Sequence, residues 1–188
     1  MTTARAFGPP VETPIVLVQH MPPLFTKSLA DRLNAQSALE VREAAGGEEL
    51  LPGVVYIAPG DHHMIVERQG ARVVTGLHQA PHEHSCRPSV DVLFRSVSET
   101  YRSAVLAIVL TGMGQEGLRG CEDVKRRGGS VFVQDEASSV VWGMPGFVAR
   151  AGLADRVLSL ADVAPELVRR IATGDAWFDH SAATATAK

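Results

Sequence analysis

The chain has 188 residues, 45% hydrophobic and 21% charged, with a formal net charge of −3, a balance that fits one globular domain with a substantial core. Its longest basic run is only Lys125–Arg127, which excludes the broad basic face that nucleic-acid binders use to release phosphate counterions. Its apolar runs fall far short of the roughly 20 residues needed to insert across a membrane, and the N-terminal segment has no secretory apolar core, so the expected location is cytoplasmic.

In chain order, residues 1–13 carry Gly8, Pro9 and Pro10 and read as an extended lead-in. Pro14–Val18 is a short continuous apolar run, the pattern of a strand buried on both faces. Phe25, Leu29 and Leu33 then recur at helical spacing, with Thr26 a candidate cap. A short strand is expected over Val41–Ala44 and a clearer one over Val54–Ala58. Alternation over 63–68 and 72–75 about Gln69-Gly70 predicts a hairpin. The polar, proline-punctuated stretch 78–88 reads as a loop. Val90, Leu93, Phe94 and Val97 predict a helix with Asp91 near its start. Ala104–Leu110 is a further buried strand, followed by the glycine-rich turn 111–117 and a helix through Leu118, Cys121 and Val124. Ser130–Val133 is the next strand, 134–139 a loop, and 140–151 holds a short helix from about Pro145. A last helix spans 161–172, and 173–188 reads as a disordered tail.

Strands alternating with helices imply a doubly wound, mostly parallel α/β sheet with helices on both faces and an inserted β-hairpin. Ligands of such sheets sit beyond the carboxyl ends of the strands. His20 and the turn 111–117 each follow a buried strand directly, so both belong at that edge.

His20 in this position is either a general base, with an ordinary pKa near neutrality, or a histidine bonded to backbone that orders its turn. In the turn, exposed N–H groups at a helix start favour an anion or an oxyanion. Glu116 can orient a histidine ring, or can be a solvated glutamate on a tight turn. The G-x-G-x-x-G spacing at 112–117 resembles a dinucleotide fingerprint, but it lies late in the chain and the acid about 20 residues on falls in a loop. His78, His82, His84 and Cys86 match no tetrahedral metal-site spacing, and no metal is expected. Cys86 and Cys121 form no disulfide framework. Arg87 with Asp91 suits a substrate carboxylate or a braced helix start. Ser85, Ser138 and Ser139 lack a nucleophile elbow.

Five stretches in this order are similar to the CheB methylesterase domain: PIVLVQHMPP (14–23), PGVVYIAP (52–59), RPSVDVLF (87–94), LTGMGQEG (110–117) and QDEASSVVWGMP (134–145). The resemblance runs from about Pro14 to Leu160. It implies hydrolysis of glutamyl methyl esters on a methyl-accepting chemotaxis receptor or a similar methylated protein, with glutamine deamidation as a companion reaction. It also implies a serine, histidine, acid triad that needs no cofactor. By the same mapping His20 is the base, Glu116 replaces the family's aspartate as the acid, and the Met113 N–H is an oxyanion donor. No serine precedes Ser28, whereas the family's nucleophile lies on a strand and turn some way before the histidine. The expectation is a domain over 14–172 that lacks its first strand, its serine lying outside this numbering. The alternative is a catalytically inactive relative that binds the receptor or another partner.

Overall fold

The computed structural model describes residues 13–173. Apart from Thr13 and Thr173, the expected lead-in and tail lie outside the described residues. In chain order the elements are β1 (Ile15–Leu17), α1 (Phe25–Gln36), β2 (Glu40–Glu43), β3 (Val54–Ile57), β4 (His63–Gln69), β5 (Arg72–His78), α2 (Val90–Tyr101), β6 (Leu106–Val109), α3 (Leu118–Arg126), β7 (Ser130–Gln134), α4 (Met144–Arg150), β8 (Arg156–Leu158) and α5 (Leu160–Thr173).

The parallel strands are hydrogen-bonded as two three-stranded groups, β1-β3-β2 and β6-β7-β8, and β4-β5 is the expected antiparallel hairpin. Every residue of β3 and of β7 is buried, which is what a continuous apolar strand covered on both faces requires. On β3 the alternation divides the side chains between two layers. Val55 and Ile57 pack with Ala30, Leu29 and Leu33 of α1, while Val54 and Tyr56 pack with Met64 and Val66 of the hairpin and Leu93 of α2. Around β6 and β7 a separate layer forms, in which Ala107, Val109, Val131 and Val133 meet Cys121 and Val124 of α3 and Val148 of α4. Burying each of the larger aliphatic side chains contributes about 1.5–3 kcal/mol.

Two expectations are corrected. Thr26 does not cap α1, whose N-cap is Leu24 at φ 74° with no side-chain cap bond. Thr26 is instead buried within the helix, donating its hydroxyl to Glu43 Oε1 at 2.6 Å and accepting the Gly60 N–H at 3.1 Å. The strand β8 was not expected: its three residues have no pattern of their own, and parallel pairing with Phe132–Gln134 makes it a strand. Among the described residues no helix is long and apolar enough to cross a membrane.

Candidate functional site

β1 and β6 deliver the two residues that matter most. The chain leaves β1 through Val18 and Gln19 to His20, then turns back through Pro22 and Pro23 into α1. Gly60, just beyond β3, makes that turn possible. A Cβ there would lie 2.7 Å from the Pro22 carbonyl carbon and 2.8 Å from the Met21 carbonyl oxygen, and closer still to Pro23 N. The Thr26 hydroxyl ties Gly60 to α1, so the histidine loop is wedged between two fixed elements.

Glu116 lies in the turn between β6 and α3 and is nearly buried, with 3% of its side chain exposed against 35% for His20. Its Oε1 accepts the Val90 N–H at 2.7 Å, a charge-assisted bond at the positive end of α2. Its Oε2 touches His20 Nε2 directly, although no donor meets that oxygen in good hydrogen-bond alignment. The carboxylate contact raises the His20 pKa above its ordinary value, with burial opposing it. With Nε2 engaged by the carboxylate, Nδ1 is the ring nitrogen left to take a proton from a nucleophile.

The turn itself is fastened from the far side. Gly112 O accepts from Gly143 N at 3.1 Å and Met144 N at 2.8 Å, and Gly112 N donates to Val141 O at 3.0 Å. A Cβ on Gly143 would come within 2.6 Å of Gly112 O, so only glycine permits this backbone contact. Gln134, fully buried at the end of β7, accepts the Thr111 N–H on Oε1 at 2.8 Å and donates Nε2 to Ser138 O at 2.8 Å. Its main-chain oxygen receives the Trp142 indole N–H at 3.1 Å. Met113, held by this framework, has a side chain 82% exposed, and none of the described residues accepts its N–H.

Two adjoining clefts open here. One, of about 370 Å³, is lined by His20, Pro22, Asp61 and Arg87; the other, of about 430 Å³, by His84, Met113, Gln115 and Glu116; Ser85 and Cys86 line both. His20 and Glu116 are therefore in contact, and Met113 shares a cleft with Glu116. An oriented base beside a turn with an unengaged N–H is suited to acyl transfer.

Other residues have structural partners. Arg87 pairs with Asp61, not with Asp91, through Nε at 2.9 Å and Nη2 at 2.5 Å, and also donates to Gln79 O and Ala80 O. The bond from Arg87 holds the Asp61 carboxyl below its ordinary pKa. Asp91 is buried and braces α3, accepting Gly120 N at 2.6 Å; burial raises its pKa. Ser138 bonds Asp135 and the Leu160 N–H, and Ser139 bonds Asp135 O. The loop histidines disperse. His78 packs against His63 of β4 with ring centroids 5.3 Å apart, His63 itself bonds Ser89 N and Pro81 O, and His84 lies 3.6 Å from Asp91. Sequence reasoning singled out neither Gln134 nor Gly60, because their roles arise from contacts 23 to 34 residues away. It also did not pair Cys86 with His20.

A family model described as CheB methylesterase matches residues 3–167. A protein-glutamate methylesterase/protein-glutamine glutaminase from Trichodesmium erythraeum (strain IMS101) is 56% identical over 158 residues, covering 84% of this chain and 45% of the relative. One of the same name from Nocardioides sp. (strain ATCC BAA-499 / JS614) is 55% identical over 164 residues, covering 87% and 45%. The crystal structure of the Thermotoga maritima CheB methylesterase catalytic domain is similar with a TM-score of 0.81 and 46% identity, covering 83% of this chain and 82% of that one. The chain thus spans a little under half the length of these curated relatives.

Proposed function

The chain belongs to the CheB methylesterase family, and we propose that it is catalytic-domain sequence of a protein-glutamate methylesterase acting on a methyl-accepting chemoreceptor or a similar methylated protein. Glutamine deamidation is the companion reaction, as in the names of the relatives. The observation that carries this reading is the contact between His20 Nε2 and the Glu116 carboxylate beside the Met113 turn.

In this mechanism a serine hydroxyl, supplied from outside residues 1–188, attacks the glutamyl ester carbonyl. His20 Nδ1 takes the hydroxyl proton, and Glu116 stabilises the imidazolium that results. The tetrahedral oxyanion is received by the Met113 N–H. Collapse breaks the bond to methoxide, which leaves as methanol with the proton from His20. Water, deprotonated by the same nitrogen, then attacks the acyl-serine, releasing the glutamate carboxylate and restoring the serine.

The test uses the full-length native protein and methylated receptor, with methanol release as the readout. His20→Ala should lower the rate at least ~100-fold. Full activity in that variant overturns the assignment of the base. Saturable receptor binding without turnover by the full-length protein favours the inactive, partner-binding alternative.

A further inference from the structure

His20, Cys86 and Glu116 present a nitrogen, a sulfur and an oxygen within 4.8 Å of one another. We propose that these three side chains form a binding site for a thiophilic divalent cation of the zinc class, whose occupancy withdraws His20 and Glu116 from ester hydrolysis. The second half of that statement rests on the methylesterase reading; the first does not.

Three features argue for a cation. The donor set is mixed S, N and O, which suits zinc and cobalt rather than magnesium or calcium, whose ligands are oxygens. Tetrahedral zinc with bonds of about 2.0–2.3 Å holds its donors roughly 3.3–3.8 Å apart, so a cation would part the His20–Glu116 contact and gather three donors now spread over as much as 4.8 Å. Second, Glu116 Oε2 is a buried carboxylate oxygen whose one contact, with His20 Nε2, is out of hydrogen-bond alignment, while Oε1 is already fixed by Val90 N–H. That is a ligand oxygen with its supporting hydrogen bond in place. Third, the site is reached from both clefts, since Cys86 lines each of them, which leaves room for water in a fourth position.

The loop that carries Cys86 is bent to bring it there. Glu83 and Cys86 exchange backbone hydrogen bonds of 3.2 and 2.9 Å. Between them His84 and Ser85 both have positive φ, 50° and 65°, as in a type I′ turn, which ordinarily uses Asn and Gly. A nucleophilic role for Cys86 is less consistent with its surroundings. Burial first, then the carboxylates of Glu116 and Asp91, push its thiol pKa up, away from a free thiolate. A bound cation reverses the sign of that field.

Cobalt(II) is the probe, added to the metal-free 188-residue chain. The expected result is one bound equivalent with tetrahedral d–d absorption and a thiolate-to-cobalt charge-transfer band, both abolished by zinc. Cys86→Ser should remove the charge-transfer band. It should also weaken binding by more than the roughly 10–100-fold that loss of a supporting contact costs. His82→Ala, on the same loop but outside the cluster, should change neither. A wild-type chain without the charge-transfer band, or Cys86→Ser binding as tightly as wild type, overturns the site. In the full-length enzyme, zinc should inhibit methanol release from wild type and fail to do so in Cys86→Ser at the same concentration. Equal inhibition of both overturns the regulatory half. An absence of methanol release even without metal refutes the methylesterase reading and leaves the site to stand on the cobalt spectrum.

Discussion

Replacing Gln134 with methionine tests whether one buried amide holds the glycine-rich turn over 111–117. Methionine matches the length and flexibility of glutamine, so the change removes polar contacts with little change of shape. Three groups lose their bonds: the Thr111 N–H, 2.8 Å from Oε1, and the Ser138 carbonyl and hydroxyl, 2.8 and 3.2 Å from Nε2. A buried group left without its partner costs about 1–3 kcal/mol. Thr111 is exposed and Ser138 only partly buried, so water can reach both, and the lower end applies to each. The expected loss is about 2 kcal/mol in urea unfolding with an unchanged m value, equivalent to a fall in Tm of about 4–8 °C for a domain of this size. Because Thr111 leads directly to Met113, the proposed oxyanion donor, the proposed methylesterase activity of the full-length protein should fall as well. A displacement of 1 Å in the oxyanion donor is worth ~100-fold. A stability change below about 0.5 kcal/mol together with undiminished methanol release would show that the turn is held by the Gly112–Gly143 contacts alone.

Other parts of the fold are equally open to measurement. Gly60→Ala places a Cβ against the backbone of Met21 and Pro22, which cannot retreat as a side chain would. A loss of about 1–3 kcal/mol is expected, and urea unfolding at wild-type stability would refute the wedge. Ser85→Gly relieves a positive φ in the Cys86 turn and should stabilise the chain by up to about 1 kcal/mol; a lower Tm would mean that the serine side chain supports the turn. His63 is buried between Ser89 N and Pro81 O. Burial lowers its pKa, and His78 and Arg87 act the same way, against the Pro81 bond and Glu83. The unfolded chain therefore takes up this proton first. The stabilising contribution is complete above the unfolded pKa of about 6.5 and is lost as pH falls through the lower folded value. His63→Gln should flatten the acid side of the stability profile, as measured by urea unfolding across that range.

What the sequence made legible is what local pattern encodes. Val54–Ala58, Ala104–Leu110 and Ser130–Val133 are continuous apolar runs, and each coincides with a strand of the fold. The hairpin follows from alternation about Gln69-Gly70, and it extends to His78 because pairing continues as far as His63 opposite it. What the sequence did not reveal depends on partners far along the chain. Thr26 has the look of a cap, yet Glu43 and Gly60 offered its hydroxyl bonds inside the fold. Arg87 sits four residues before Asp91, one helical turn away in sequence, but the loop directs it to Asp61. Cys86 belonged to a histidine-rich stretch that suggested ligands close in sequence. The histidines of that stretch scatter, and the cluster forms with residues 66 positions upstream and 30 downstream.

The resemblance to the family implies an aspartate where this chain carries Glu116, and a motif does not by itself fix geometry. Judged from the side chain alone, one added methylene moves a carboxylate by about 1 Å, enough for a large loss of rate. In the fold, however, the position of the carboxylate is set at both ends. Val90 N–H, fixed at the start of α2, holds Oε1, and α2 is itself pinned to α3 through Asp91 and Gly120. Oε2 is then left facing His20. The carboxylate is thus anchored to the start of α2 through one oxygen and meets the His20 ring with the other. The cost falls on direction rather than distance: the contact with Nε2 is close but poorly aligned. In the proposed cation site Oε2 would exchange its contact with His20 Nε2 for the metal.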